Sequence, residues 1–148
     1  MRGGTSKGVF LMEKDLPADT DLRERIILAV FGSPDIRQID GLGGADSLTS
    51  KLAIISPSEA PGRDINYTFG AVGIDKPFVD YSANCGNISS AVGPYAIDKG
   101  LVKAVEPFTT VRIYNTNTKK MIYSRVPVRK GKVVSDGDYE IAGCPGTG

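Results

Sequence analysis

With 148 residues, 41% of them hydrophobic and 24% charged, the chain is long enough for one globular domain with a real core and short for two. Eighteen Lys and Arg stand against 17 Asp and Glu, so net charge makes no case for nucleic acid or an anionic membrane surface. No apolar run nears the roughly 20 residues of a membrane span, the opening MRGGTSKGVF lacks a signal peptide's apolar stretch, and a soluble cytoplasmic protein is the expectation.

Gly8–Met12 reads as a short strand. PADTDLRERIILAVFGSP follows as a helix, capped by Asp19 or Thr20, lined on one face by Leu22, Ile26 and Val30, and stopped by Gly32 with Pro34. A glycine-rich loop, RQIDGLGGADSLTS, then delivers the chain into a buried-type strand from Lys51 to Ser56. DINYTFGAVGI alternates through Ile65, Tyr67 and Phe69, as a half-buried strand should, and KPFVDY is a second short strand.

After Cys85, the residues Ile88, Ala91, Val92, Tyr95 and Ala96 form a helical apolar stripe closed by Gly100. Ile97 widens the stripe, so sheet should wrap this helix, and Pro94 should kink it without breaking it. TTVRIYNTNTKKMIYSRVPV and KVVSDGDYEIAG are strand material, the first with an Asn/Thr-rich hairpin turn. The expected fold class is α+β, with a curled, mostly antiparallel sheet around a central helix.

Cysteine and histidine usage narrows the chemistry. The only cysteines, Cys85 and Cys144, form no C-x-x-C pair, and there is no histidine, so a zinc site has too few plausible ligands and a Cys–His hydrolase cannot be assembled from this chain alone. A disulfide between them is conceivable, but nothing else suggests secretion. Cys144, in IAGCPGTG, reads as a small buried or loop thiol.

Three polar, glycine-bearing segments remain: MRGGTSKG, DGLGGADSLTSK and NCGN. A Walker loop needs a strand before it and a helix after it, whereas a strand follows the first segment. The second also leads into a strand, the wrong context for a dinucleotide fold. Tight turns explain both equally well, and Lys51 at a strand start is more often a solvated rim charge than a catalytic group. NCGN is different. Gly86 and Asn87 fall in the first turn of the predicted helix, where unpaired N–H groups point outward. That end favours anions and lowers the pKa of a nearby thiol, so Cys85 could act as base or nucleophile while a carboxylate docks on the amides. The plain alternative is an inert capped helix start.

MRGGTSKGVF, FGSPDIRQIDGLGGADSLTSK, YTFGAVGIDKPFVDYSANCGNISSAVGPYAI and VEPFTTVRIYNTNTKK together carry a resemblance covering nearly the whole chain. The sequence resembles the 2-methylaconitate/methylitaconate isomerase family, which has the diaminopimelate epimerase fold. The oxalomesaconate tautomerases of the same group look almost as close. The resemblance implies a two-lobed protein with its active site between two helix N-termini, and residues 1–148 match the first lobe. Both ends of the chain then read as truncations, and the missing second lobe becomes a required partner. A homo-oligomer is a further expectation; nucleic acid and membrane are not expected as partners.

The resemblance also implies the reaction, a 1,3-shift of a proton between allylic carbons that moves the C=C bond of an unsaturated di- or tricarboxylate. Such chemistry needs a base, a proton donor and fixed positive potential for developing charge. Cys85, Lys51 and Ser6 are the expected catalytic residues; Arg2, Lys7, Asn84, Gly86 and Asn87 are expected to bind the substrate, with Ser6 also near its carboxylates. Neither metal nor organic cofactor is implied, and Cys144 receives no role. Two rivals stand beside this reading. A cysteine-dependent epimerase or racemase would draw an opposing cysteine from the second lobe, and a non-catalytic truncated lobe would only bind ligands or partners.

Overall fold

The computed structural model describes residues 1–147. Its strands are β1 (Arg2–Gly3), β2 (Ser6–Met12), β3 (Lys51–Pro57), β4 (Ile65–Val72), β5 (Val79–Asp80), β6 (Phe108–Asn115), β7 (Lys120–Arg129) and β8 (Lys132–Val133). Among the described residues two α-helices accompany them, α1 (Thr20–Phe31) and α2 (Gly86–Asp98), with a short 3-10 turn at Glu13–Asp15. The strands form one sheet in the order β1-β2-β3-β4-β6-β7-β8, with β5 added to β4. Five pairings are antiparallel, while β2–β3 and β4–β6 are parallel. The α+β class and the mostly antiparallel sheet curled about a helix are as expected.

Strand β3 shows why an uninterrupted apolar run was needed. Its side chains alternate between faces, and both faces are covered. Ala53 and Ile55 face α2, joined by Tyr67, Phe69, Val111, Ile113 and Val126 from neighbouring strands. Leu52 and Ile54 face α1, against Ile27, Leu28 and Phe31. Burying each large aliphatic or aromatic side chain contributes about 1.5–3 kcal/mol, so the two helices are fastened from opposite sides.

Helix α2 buries its stripe of Ile88, Ala91, Val92, Tyr95, Ala96 and Ile97. It continues unbroken through Pro94 and ends before Gly100, whose φ of +68° suits glycine. Gly93 permits close packing, since a Cβ there would lie 2.9 Å from Val126 and 2.8 Å from Ser124 Cβ.

Two expectations need correction. In α1, Leu22 and Ile26 are 44% and 37% exposed, whereas Ile27, Leu28 and Phe31 are buried. The helix carries apolar residues on adjoining faces, and the face holding Phe31 fills the space over Leu52 and Val72. Asp19 is the residue that caps it, accepting from the Leu22 amide at 2.8 Å. The second correction concerns KVVSDGDYEIAG, of which only Lys132–Val133 form a strand, with one isolated bridge from Glu140 to Thr147. Asp and Ser side chains compete for backbone hydrogen bonds and favour turns over a ladder.

Candidate active site

Cys85 is the N-cap residue of α2, with extended φ and ψ of −115° and 111°. Gly86 and Asn87 occupy the first turn, both exposed, and the direction in which a Gly86 Cβ would project is open space. Among the described residues the Gly86 and Asn87 amides have no hydrogen-bond partner, and they lie at an exposed helix start beside the sulfur.

Parallel pairing of β2 and β3, in register Gly8↔Lys51, sets the other two groups next to it. Ser6 opens β2 and Lys51 opens β3. Lys51 Nζ donates to Ser6 Oγ at 2.9 Å and contacts Cys85 Sγ at 3.2 Å. Gly8 lets this strand pair pass beneath the helix, because a Cβ there would stand 3.0 Å from both Ile88 Cδ1 and the Lys51 carbonyl. The three residues expected to be catalytic thus form one cluster. Ser6 is only 2% exposed, so it supports the lysine and the thiol and is not open to a substrate carboxylate.

Several influences act on the thiol. Partial burial pushes its pKa up and is the largest single one. Against it stand the Ile88 amide, the hydrogen bond and charge of Lys51, and the Ser6 hydroxyl, which together hold Cys85 below the ordinary cysteine range. The Ile88 amide favours the thiolate although the Cys85 side chain makes no full capping hydrogen bond. Cys144 lies in the C-terminal turns, and both cysteines are free thiols.

The expected binding residues divide into two groups. Asn84, Gly86 and Asn87 adjoin the sulfur in the chain. Asn87 Nδ2 donates to Thr5 Oγ1 at 3.0 Å, tying the first loop to the helix start. Gly3 makes that approach possible, since a Cβ on it would collide with the Asn87 backbone carbonyl. Arg2 and Lys7 are placed differently. They pair across β1 and β2, and strand alternation turns Lys7 to the face opposite Ser6. Arg2 Nε donates to the Gly4 carbonyl at 3.0 Å, and neither residue hydrogen-bonds to Cys85, Lys51 or Ser6 among the described residues.

Sequence reasoning missed the support under the cysteine loop. The turn after β6 reads as an ordinary Asn/Thr hairpin, yet it reaches the site. Asn115 is fully buried and donates to Asn84 Oδ1 at 3.1 Å, while Ser89, on the first turns of α2, meets the same oxygen at 3.3 Å. Asn117 exchanges hydrogen bonds with the Phe69 backbone at 2.8 and 2.9 Å and donates to the Tyr81 carbonyl at 2.8 Å. Tyr67 is buried beneath, its hydroxyl without a partner at full hydrogen-bond geometry among the described residues; burial raises its pKa, the nearby Ser89 hydroxyl opposes this weakly, and Cys85 adds to the rise. The available signal was the doubled Asn-Thr, an unusual concentration of side-chain amides for a simple turn.

A curled sheet wrapped on a helix, with a lysine-paired thiol at the helix N-terminus, defines an α+β lobe of the diaminopimelate epimerase fold class. Residues 1–148 match the family described as PrpF protein, and the chain belongs to that family. It is 61% identical over 147 residues to a 3-methylitaconate isomerase of Eubacterium barkeri, covering 99% of this chain and 39% of that protein. A 4-oxalomesaconate tautomerase of Pseudomonas putida is 53% identical over 146 residues, covering 99% and 40% respectively. Among solved structures, a methylitaconate-delta-isomerase superposes with a TM-score of 0.94 at 58% identity, covering 99% of this chain and 69% of that one. The chain therefore spans about two fifths of the length of these curated relatives. Among the described residues, no helix is long and apolar enough to cross a membrane.

Proposed function

We propose that the protein carrying this chain is an isomerase that moves a C=C bond in an unsaturated di- or tricarboxylate by a 1,3-proton shift. The observation that carries the proposal is the 3.2 Å contact between Lys51 Nζ and Cys85 Sγ at the N-terminus of α2. A lowered thiol pKa increases the share of thiolate that can act as a base, and the exposed first turn offers amides to an anion.

In this mechanism the Cys85 thiolate removes a proton from an allylic carbon; the C–H bond breaks and an S–H bond forms. The electron pair moves through the double bond toward a carboxylate, giving a dienolate. Lys51 and the Gly86 and Asn87 amides face that developing charge. The S–H proton exchanges with solvent, a proton from the thiol is then delivered to the other allylic carbon, the thiolate is regenerated, and no electrons enter or leave. Asn84 holds a substrate carboxylate. Methylitaconate is the first choice of substrate, because the relative at 61% identity bears that name; oxalomesaconate, from the relative at 53%, is second. The chain supplies one lobe of the site, and a second lobe completes it.

The test is to incubate full-length protein separately with methylitaconate, 2-methylaconitate and oxalomesaconate and to follow double-bond position by proton NMR. Migration in at least one, lost in Cys85→Ala, is expected. No migration in any of them would defeat the proposal.

A further inference from the structure

The Asn84 side chain ends in an amide whose two faces are chemically opposite, and a chain of hydrogen bonds determines which one meets solvent. That chain begins at an unambiguous donor. The Thr118 backbone N–H lies 2.8 Å from one atom of the Asn115 amide, and the Thr118 hydroxyl lies 2.9 Å from the same atom. A backbone N–H only donates, so this atom is the carbonyl oxygen Oδ1. Asn115 Nδ2 must then face Asn84, where it donates at 3.1 Å and fixes the Asn84 oxygen inward. The Ser89 hydroxyl donates its hydrogen to the Cys85 carbonyl at 2.9 Å and lies 3.3 Å from the same Asn84 atom, so the Asn115 amide alone sets the orientation. Because the amide group is planar, Asn84 Nδ2 is left on the other side. It belongs to an exposed residue immediately before Cys85 and has no hydrogen-bond partner among the described residues.

Asn115 is fully buried and cannot touch a substrate. We infer that Asn115 is a positioning residue: it holds the Asn84 carbonyl inward so that the Asn84 amide nitrogen faces outward as a donor to a carboxylate lying over Cys85. The inference rests on the proposed carboxylate site and adds the device that gives the site its polarity. With the amide reversed, a carbonyl oxygen would repel the anion.

Iodoacetate and iodoacetamide alkylate the same sulfur and differ in the carboxylate, so their rate ratio at Cys85 reads the local preference for an anion without requiring turnover. Rates are measured by peptide mapping on full-length protein. Asn84→Ala should lower the iodoacetate-to-iodoacetamide ratio by about three- to tenfold, the net effect of one ordinary hydrogen bond at a solvent-exposed position. Asn115→Asp keeps the Thr118 contacts and removes the donor, and should lower the ratio to a similar degree. Combined with Asn84→Ala, it should lower the ratio no further, since the two changes act on one group. Asn115→Ser, which adds no charge, should show the same pattern. An unchanged ratio in Asn84→Ala overturns the inference, and this exposed substitution decides the matter even if the buried ones prevent folding. A fall from Asn115→Asp that persists in full without the Asn84 amide also overturns it, because through-space charge would then be the cause. Absence of isomerase activity alongside the expected ratios would count against the proposed reaction alone.

Discussion

Lys51 touches Cys85 through both its charge and a hydrogen bond, so removing it should be visible in the thiol itself. In Lys51→Met, the midpoint of the pH profile for Cys85 alkylation should move to higher pH. The sign carries over to stability. A thiol held below its unfolded value contributes stability that is present above the unfolded pKa, near 9.0, and is lost as pH falls through the lowered folded value. Parent protein should therefore gain thermal stability as pH rises across that window, and Lys51→Met should gain less. An unshifted alkylation profile would show that the lysine does not tune the sulfur. Tyr67 gives a complementary case. Its hydroxyl is buried with no partner at full hydrogen-bond geometry among the described residues and only a weak Ser89 interaction, so Tyr67→Phe should change unfolding free energy by less than about 1 kcal/mol or raise it, because a poorly paired buried polar group costs free energy. A loss well beyond that in urea denaturation would reveal a hydrogen bond of real worth.

Among the elements, α2 was the most legible. Its stripe recurs at one spacing, and no competing apolar face exists, so Ile88, Val92 and Ala96 could be placed in the core before any coordinates were known. α1 was harder because Leu22–Ile26–Val30 and Ile27–Leu28–Phe31 are both plausible stripes; the sheet surface, which no local pattern reveals, chose the second. Cys85, Lys51 and Ser6, which the structure brings together, were candidates from their segments and the family resemblance, whereas Asn115 was not. An Asn in a hairpin turn looks the same whether it closes that turn or reaches 31 positions back along the chain. Packing between elements is also testable. Gly93→Ala would press a methyl into Val126 and Ser124 and push α2 from β7, costing about 1–3 kcal/mol by urea denaturation. A neutral result would mean that the helix can shift freely against the sheet.

At the scale of the whole molecule, the sheet brings Ser6, Lys51 and Cys85 from three separated segments to one point at the end of a buried helix. The α2 face bearing Ser90, Pro94 and Asp98 lines a cavity of about 500 Å³ together with Val133 and Ile141. The proposed second lobe would complete the site from outside this chain, with Cys85 proposed to carry the proton and Lys51 to face the developing charge. Their role is tested most directly by solvent exchange during turnover. In deuterium oxide, full-length protein given methylitaconate should place deuterium at the allylic carbon of the product. Cys85→Ala and Lys51→Ala should each slow that incorporation by about two to four orders of magnitude, the usual worth of a positioned acid or base. Incorporation at near-parent rates in both variants would contradict the roles proposed for this pair.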